Sequence, residues 1–251
     1  MNMIRKPFQG VINIVWFNWH FYLIASIAFT FLFLFQRSIP DQFRIFILSA
    51  SILALLIMII SLVVSYYVYD FSSLYSLKWL PHLEFNRVLN INAGFDETSQ
   101  IIKAKFPDCE LTICDFYNKE KHTEVSIKRA RSAYPPIVGT IQVSTIHLPF
   151  KDNEFDYSLA ILSAHEIRDK SERVQFFKEL KRVTKPNGQI FVTEHLRDFN
   201  NFMAYTIGFL HFHSKSTWKE TFKLANLSIE KQIKTTPFIT TFILKTNGDT
   251  L

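Results

Sequence analysis

Two uncharged apolar runs constrain this chain before anything else. From Phe21 to Phe35, 13 of 15 residues are hydrophobic, and from Ile45 to Tyr69, 21 of 25 are. A run of that second length crosses a hydrocarbon core of roughly 30 Å with some tilt. Tyr66, Tyr67 and Tyr69 at its end suit the aromatic belt of a membrane interface. The first run is shorter, but uncharged sequence reaches back through Val11–Tyr22 and carries Trp16 and Trp19. A span of about 20 residues therefore begins near Phe17 and ends near Phe35. A signal peptide is disfavoured, because no small-residue cleavage site follows Phe35 and a second apolar run comes at once. The expectation is a membrane hairpin over residues 1–79, with spans at about 17–35 and 45–69, and a separate domain over 80–251. A helical hairpin buried inside a soluble fold is the alternative.

Gln36–Arg44 is a short polar turn between the runs. Arg5 and Lys6 precede the hairpin and Lys78 and Arg87 follow it, against Arg37 and Arg44 in the turn. By the positive-inside rule this balance puts both ends, and hence the C-terminal domain, in the cytoplasm. The net charge of +6 is shared evenly between the parts before and after Leu80, with both signs interspersed in the larger part. No basic stripe forms, so no nucleic-acid partner is expected. The two cysteines, Cys109 and Cys114, make no disulfide framework and no metal-ligand spacing; they read as small buried thiols.

Beyond Trp79 the pattern alternates between short apolar runs and helical segments. Strands are expected at Arg87–Ile91, Leu111–Cys114, Thr140–Val143, Tyr157–Leu162 and Gln189–Thr193. Helices are expected at Thr98–Lys105, His122–Tyr134 and Ser171–Val183, with another opening at Thr217 and Glu220. Asp169 and Glu172 form a capping-box-like start to the third of these. The central strands are continuously apolar, as when helices cover both faces of a parallel sheet. Leu227–Lys234 and Phe238–Lys245, around Thr235-Thr-Pro237, read as a closing strand pair. The fold class is therefore α/β, an open and mostly parallel sheet.

Ligands of such sheets bind at the carboxyl ends of the strands. Those ends carry Asn90–Asp96, Asp115, Ser144–His147, Ser163–Glu166 and Glu194–His195. A turn holding Gly94 lets backbone approach a small ligand. Asp115, about 20 residues further on, suits hydrogen bonds from ribose hydroxyls; capping of the next segment is its other reading.

Val88-Leu-Asn-Ile-Asn-Ala-Gly94, Cys114-Asp115, Leu148-Pro-Phe-Lys-Asp-Asn-Glu-Phe-Asp156 and Glu179-Leu-Lys-Arg-Val-Thr-Lys-Pro-Asn-Gly188 together resemble class I S-adenosylmethionine-dependent methyltransferases of the type 11 kind. The resemblance runs from about Arg87 to Lys245 and is most specific from Leu148 to Gly188. It implies a Rossmann-like methyltransferase sheet closed by an antiparallel hairpin, and S-adenosylmethionine as cofactor. The family's acidic-x-Gly-x-Gly-x-Gly turn falls here on Asn90, Asn92, Gly94 and Asp96, so one glycine is kept. Asn92 is expected in the left-handed conformation that asparagine tolerates. The side-chain carbonyl of Asn90 is expected to accept from the cofactor's amino group. Ser144, with Thr145 beside it, stands where the family's acidic adenine contact lies, and Ser163 lines the cofactor mouth by position.

His165 or His195 is the candidate base for an oxygen acceptor; a structural role is the alternative for each. Glu194, His195, His211 and His213 are residue types that bind zinc, but no helical His-x-x-x-His or cysteine ligand accompanies them, so no metal is expected. Phe199–His213 is an aromatic, uncharged insertion, expected as a lid, an interfacial helix or a core-packing helix.

The functional expectation is a methyltransferase anchored in the lipid bilayer, acting on a small, apolar or membrane-resident acceptor such as a quinone-like ring, a lipid or a lipid-linked intermediate. The competing reading is a non-catalytic membrane-anchored scaffold or binding module, favoured by the depleted glycine turn. Open space at Gly94, Asp115 and Ser163 favours the enzyme; side chains filling that space favour the scaffold.

Overall fold

The computed structural model describes residues 5–246. Helices α1 (Gln9–Phe17), α2 (Trp19–Phe35) and α3 (Asp41–Tyr66) come first, and α3 continues into a wider π turn, Tyr67–Phe71. Helical segments Trp19–Ser38 and Asp41–Ser76 are long and apolar enough to cross a membrane, by length and composition. They are not core helices of a soluble fold: no residue of α2 is buried, and in α3 only Ser65 is. Side chains such as Phe33 and Phe46 stand about 70% exposed, which water does not reward at this density. The buried-hairpin alternative is thus excluded by exposure.

The first apolar helix begins at Trp19, close to the expected start near Phe17. Residues 9–17 form a separate helix that breaks at Asn18, whose backbone N–H and side-chain amide both donate to the Ile14 carbonyl, at 3.2 and 3.0 Å. Helix α1 folds back onto the larger domain. Asp70, in the π turn, accepts from the backbone N–H groups of Gly10 and Val11 at 2.7 and 2.9 Å and so caps the α1 N-terminus. A carboxylate there also complements the helix dipole. The approach is close enough that a Cβ on Gly10 would lie 2.4 Å from Cβ of Tyr69.

The larger domain is a seven-stranded sheet in the order β3-β2-β1-β4-β5-β7-β6. Its strands are β1 (Arg87–Asn92), β2 (Glu110–Asp115), β3 (Ile141–Gln142), β4 (Phe155–Ile161), β5 (Thr184–His195), β6 (Ser228–Lys234) and β7 (Ile239–Lys245). The pairings are parallel through β5, and β7 runs antiparallel between β5 and β6. Helices α4 (Ser99–Lys105), α5 (Val125–Ala133), α6 (Lys170–Val183), α7 (Phe199–Tyr205) and α8 (Lys215–Leu224) complete it.

Alternate strand residues feed two cores, which is why the strands read as continuously apolar. Leu89, Ile91, Ala160, Ile190 and Val192 pack with Phe176, Phe177 and Leu180 of α6 and with Trp218 and Phe222 of α8. Val88, Leu159, Ile161 and Phe191 pack on the other face with Ile101 and Ile102 of α4 and with Leu77, Leu80 and Leu83. Packing on the sheet therefore begins before residue 80. The Asp169 carboxylate caps α6 by accepting from Glu172 N–H at 2.7 Å, a contact worth about 1 kcal/mol.

Some boundaries move. The His122–Tyr134 helix shortens to α5, because His122 Nδ1 accepts from Asn118 N–H at 2.9 Å and holds residues 118–122 in a turn. Strand β3 has two residues. Lys185-Pro-Asn-Gly188 lies within β5, where the register shifts between Phe155↔Thr184 and Tyr157↔Gln189.

Candidate active site

The turn after β1 is built from side chains where glycines are missing. Asn92 does not adopt the left-handed conformation: Gly94 does, with φ 98°, and Asn92 is the last residue of β1. Instead its Oδ1 accepts from Gly94 N–H at 2.9 Å while its Nδ2 donates to the Cys114 carbonyl at 3.0 Å. An asparagine side chain thus replaces backbone flexibility, forming an Asx turn. Asn90 Nδ2 donates to the hydroxyls of Thr98 and Ser99, at 3.0 and 2.7 Å. Its Oδ1 is buried without a partner, as is Oδ2 of Asp96. Each is an acceptor facing a desolvation cost of about 1–3 kcal/mol that a bound donor would relieve.

Asp115 is almost fully buried and fully engaged. One carboxylate oxygen accepts from Tyr117 N–H at 2.7 Å, and the other pairs with Arg131 of α5. The Arg131 guanidinium also lies over the Tyr117 ring, 4.6 Å from its centroid. That ring packs on Gly94, so that a Cβ there would meet Tyr117 Cδ2 at 2.8 Å. The buried Ser163 hydroxyl donates to the Ile91 carbonyl at 2.9 Å. Side chains therefore fill the space around Gly94, Asp115 and Ser163, and cavities lie to either side of them.

On one side Ser144, Thr145, Tyr117, His122 and Glu172 line an open cavity of about 460 Å³. Ser144 is exposed, while buried Thr145 donates to the Glu172 carboxylate. Burial opposes ionisation of Glu172, but Lys121 and Thr145 outweigh it and hold its pKa below the ordinary value.

On the other side a cavity of about 200 Å³ is lined by Asn92, Phe95 and Glu97 after β1, Leu162 and His165 after β4, His195 at the end of β5, and Phe212. Helix α1 roofs it with Asn13, Ile14 and Phe17, and Tyr69 and Tyr75 close one wall. Tyr134 donates to Asn13 Oδ1 at 2.8 Å, and Glu97 accepts from Arg5 and from the Tyr75 hydroxyl, both at 2.5 Å. These contacts hold the N-terminal segment over the sheet's carboxyl edge. A contiguous cavity of about 480 Å³ shares Phe17, Tyr69, Phe95, His165 and Phe212 and runs on to Ile127, Tyr205 and His211. The smaller volume lies below the roughly 300–1,000 Å³ of ordinary ligand sites, and the larger falls within it.

The two candidate histidines occupy opposite electrostatic environments. Burial favours neutral His165, but Glu194 and Glu166 outweigh it and raise the pKa to about 10. His165 Nδ1 is 2.6 Å from Glu194 Oε2. Burial lowers the His195 pKa to about 4. Its Nδ1 lies 2.9 Å from Asn201 Oδ1, and the Asn201 amide is oriented by donating from Nδ2 to Asp198 and to the Phe238 carbonyl. The proton of neutral His195 therefore sits on Nδ1, leaving Nε2 to accept from the Tyr69 hydroxyl at 2.8 Å. Phe212 stacks on the ring at 4.6 Å.

Asn92, His165 and His195 thus share one cavity, Ser144 and Thr145 another, and Asn90, Asp115 and Ser163 bind within the protein. Tyr69, Glu97, Asn201 and Arg131 belong to this region and were not legible as site residues. Only Glu97, next to the Gly94 turn, and Asn201, six residues past His195, carried even a positional signal. The insertion after β5 becomes α7 and a 3-10 segment, Thr206–His211, which supply Tyr205 and His211 to the larger cavity. Outward it exposes Phe199, Met203, Ile207 and Leu210.

Residues 89–192 match the family model described as a methyltransferase domain. A demethylmenaquinone methyltransferase of Thermotoga maritima is 32% identical over 115 residues, covering 45% of each chain. A 2-phytyl-1,4-naphtoquinone methyltransferase of Nostoc is 33% identical over 78 residues, 31% of this chain and 33% of that protein. The chain spans less than half the length of these relatives. Among solved structures, a SAM-dependent methyltransferase from Aquifex aeolicus superposes with a TM-score of 0.50 at 14% identity, over 67% of this chain and 86% of that one. The sheet is thus a Rossmann-like methyltransferase fold.

Proposed function

We propose that this chain is a membrane-anchored methyltransferase that uses S-adenosylmethionine to methylate a small, apolar or membrane-resident acceptor. The observation that carries the reading is the pair of contiguous cavities at the carboxyl ends of β1, β4 and β5, walled by aromatic side chains and by the ends of the apolar helices. Support for a quinone-type acceptor comes from the activities for which the two relatives are named. Support for the anchor comes from two exposed apolar helices of sufficient length. The C-terminal domain is assigned to the cytoplasm on the charge balance of the flanks, since the cofactor is made there.

At the turn after β1 the residues present fit the cofactor, while Asp115 would have to exchange Arg131 for ribose hydroxyls. Asn90 Oδ1 and Asp96 Oδ2 are buried acceptors awaiting donors, and Gly94 supplies a left-handed turn. Asp115 ends β2 where ribose hydroxyls are bound in such sheets. S-adenosylmethionine, when bound, supplies an electrophilic methyl group on a sulfonium. The chain's own part is alignment and exclusion of water: Phe17, Phe95 and Phe212 make the wall apolar, and α1 closes it. His195 Nε2, unprotonated, accepts from the Tyr69 hydroxyl and orients it at the cavity wall; with a pKa of about 4 it positions that hydroxyl rather than holding the acceptor's proton. His165, already protonated between Glu194 and Glu166, stabilises negative charge rather than accepting a proton.

A second reading has its own observation. Arg131 and Tyr117 fill the space at Asp115 and Gly94, which favours a scaffold that keeps the fold without the cofactor. Lipid and quinone extracts of cells with and without the protein distinguish the two. The enzyme leaves a species differing by a single methyl mass; identical extracts speak for the scaffold.

A further inference from the structure

We propose that His165, Glu166 and His211 form a binding site for a divalent first-row transition-metal ion, which would take the place of the His165 Nε2 proton in the larger cavity. The three residues come from the 3-10 turn after β4, Ala164–Glu166, and from the end of the insertion after β5. Their ligand atoms all lie within 4.8 Å of one another. Glu166 Oε1 is 3.4 Å from His165 Nε2 and 3.4 Å from His211 Nε2. Ligands bound at about 2.0–2.1 Å around a tetrahedral ion sit about 3.3 Å apart, so both pairs are already at coordination spacing.

The outer contacts give a second, separate observation. Nδ1 of His165 is 2.6 Å from Glu194 Oε2, and Nδ1 of His211 is 3.2 Å from Glu124 Oε1. Metal-binding imidazoles characteristically donate their remote N–H to a carboxylate, which fixes the ring and leaves the other nitrogen for the ion. The His165 ring is held that way; His211 Nδ1 has Arg168 Nη2 at 2.5 Å as well as Glu124 Oε1 at 3.2 Å, and both Nε2 atoms lie 3.4 Å from Glu166 Oε1. All three residues line the cavity of about 480 Å³, so three protein ligands would leave a position open to a bound oxygen. Two imidazoles and one carboxylate suit zinc, iron, cobalt or nickel, whereas magnesium and calcium prefer oxygen ligands.

The set differs from the one weighed in the sequence. His195 is committed to Tyr69 and Asn201, and His213 Nε2 lies 3.2 Å from Arg173 Nη1. One cation opposes the ion: Arg168 Nη2 lies 2.8 Å from His211 Nε2 and 4.0 Å from Glu166 Oε2. Its side chain is 42% exposed but also donates to the His211 carbonyl, and its guanidinium occupies the charge position an ion would take, so the ion must displace it.

The test titrates cobalt(II), alone, into the chelator-stripped full chain in detergent, following visible absorption. The expected result is one cobalt per chain with ligand-field bands, displaced by zinc and unmoved by magnesium. His211→Ala and Glu166→Gln should each abolish the bands. Glu124→Gln should weaken binding about tenfold, and Arg168→Gln should bind more tightly than the wild type. Circular dichroism establishes that each variant is folded. Absence of bands in the folded wild type and in folded Arg168→Gln overturns the proposal, as do bands equally strong in folded Glu166→Gln and His211→Ala.

Discussion

The hydroxyl of Tyr69, in the turn that ends the second apolar helix, donates at 2.8 Å to Nε2 of His195, at the carboxyl end of β5. The two residues are 126 positions apart, and their contact joins the apolar hairpin to the edge of the sheet where the cavities lie. Replacing Tyr69 with Phe leaves a buried acceptor without a donor, a loss of about 1–3 kcal/mol. Denaturation in detergent should show that loss, and methyl transfer should fall with it. A variant as stable and as active as the wild type contradicts the role given to this pair.

The same histidine predicts a stability-versus-pH window. Burial lowers its folded pKa to about 4, against an ordinary value of 6.5. Below 6.5 the unfolded chain takes a proton that the folded chain refuses, so stability contributed by neutral His195 is complete above 6.5. It is lost as pH falls toward 4, with a slope approaching 1.4 kcal/mol per pH unit for one proton. Other histidines titrate nearby, so the measurement is the difference in unfolding free energy between the wild type and His195→Gln. That difference should shrink between pH 6.5 and 4 and stay level above 6.5.

Gly10 tests the α1 roof. Alanine in a helix interior is ordinarily more favourable than glycine by about 1 kcal/mol. Here its Cβ would fall 2.4 Å from Cβ of Tyr69 and 3.0 Å from an Asp70 oxygen. Gly10→Ala should therefore lift α1 from the π turn despite its better helix propensity. Limited proteolysis should cut near residues 5–18 faster in the variant. Equal cleavage rates mean that α1 is not held by this contact.

The parallel sheet was legible because its buried strands are continuous apolar runs with Pro, Gly and Asn at their ends. The two long helices were legible for the same reason, since their apolar runs far exceed the length of a strand; that they are exposed was not. The α1 roof was not legible. Gly10 and Asp70, Arg5 and Glu97, and Asn13 and Tyr134 meet across 60 to 121 residues, and no local pattern records such pairs. The reading of Asn92 failed on chemistry, since an asparagine can support a turn through its side chain as well as through its backbone. Asp115 was placed correctly at the end of β2, but its partner Arg131 looked like any surface cation on a helix.

Whether the carboxyl edge of the sheet binds S-adenosylmethionine is measured directly by calorimetric titration of the detergent-solubilised full chain. Binding is expected in the wild type. Asp115→Ala should weaken it at least about tenfold, as expected for hydrogen bonds to a charged group. Arg131→Gln, which frees the Asp115 carboxylate for ribose hydroxyls, should bind at least as tightly as the wild type. No binding by either the wild type or folded Arg131→Gln contradicts the account and leaves the membrane-anchored scaffold.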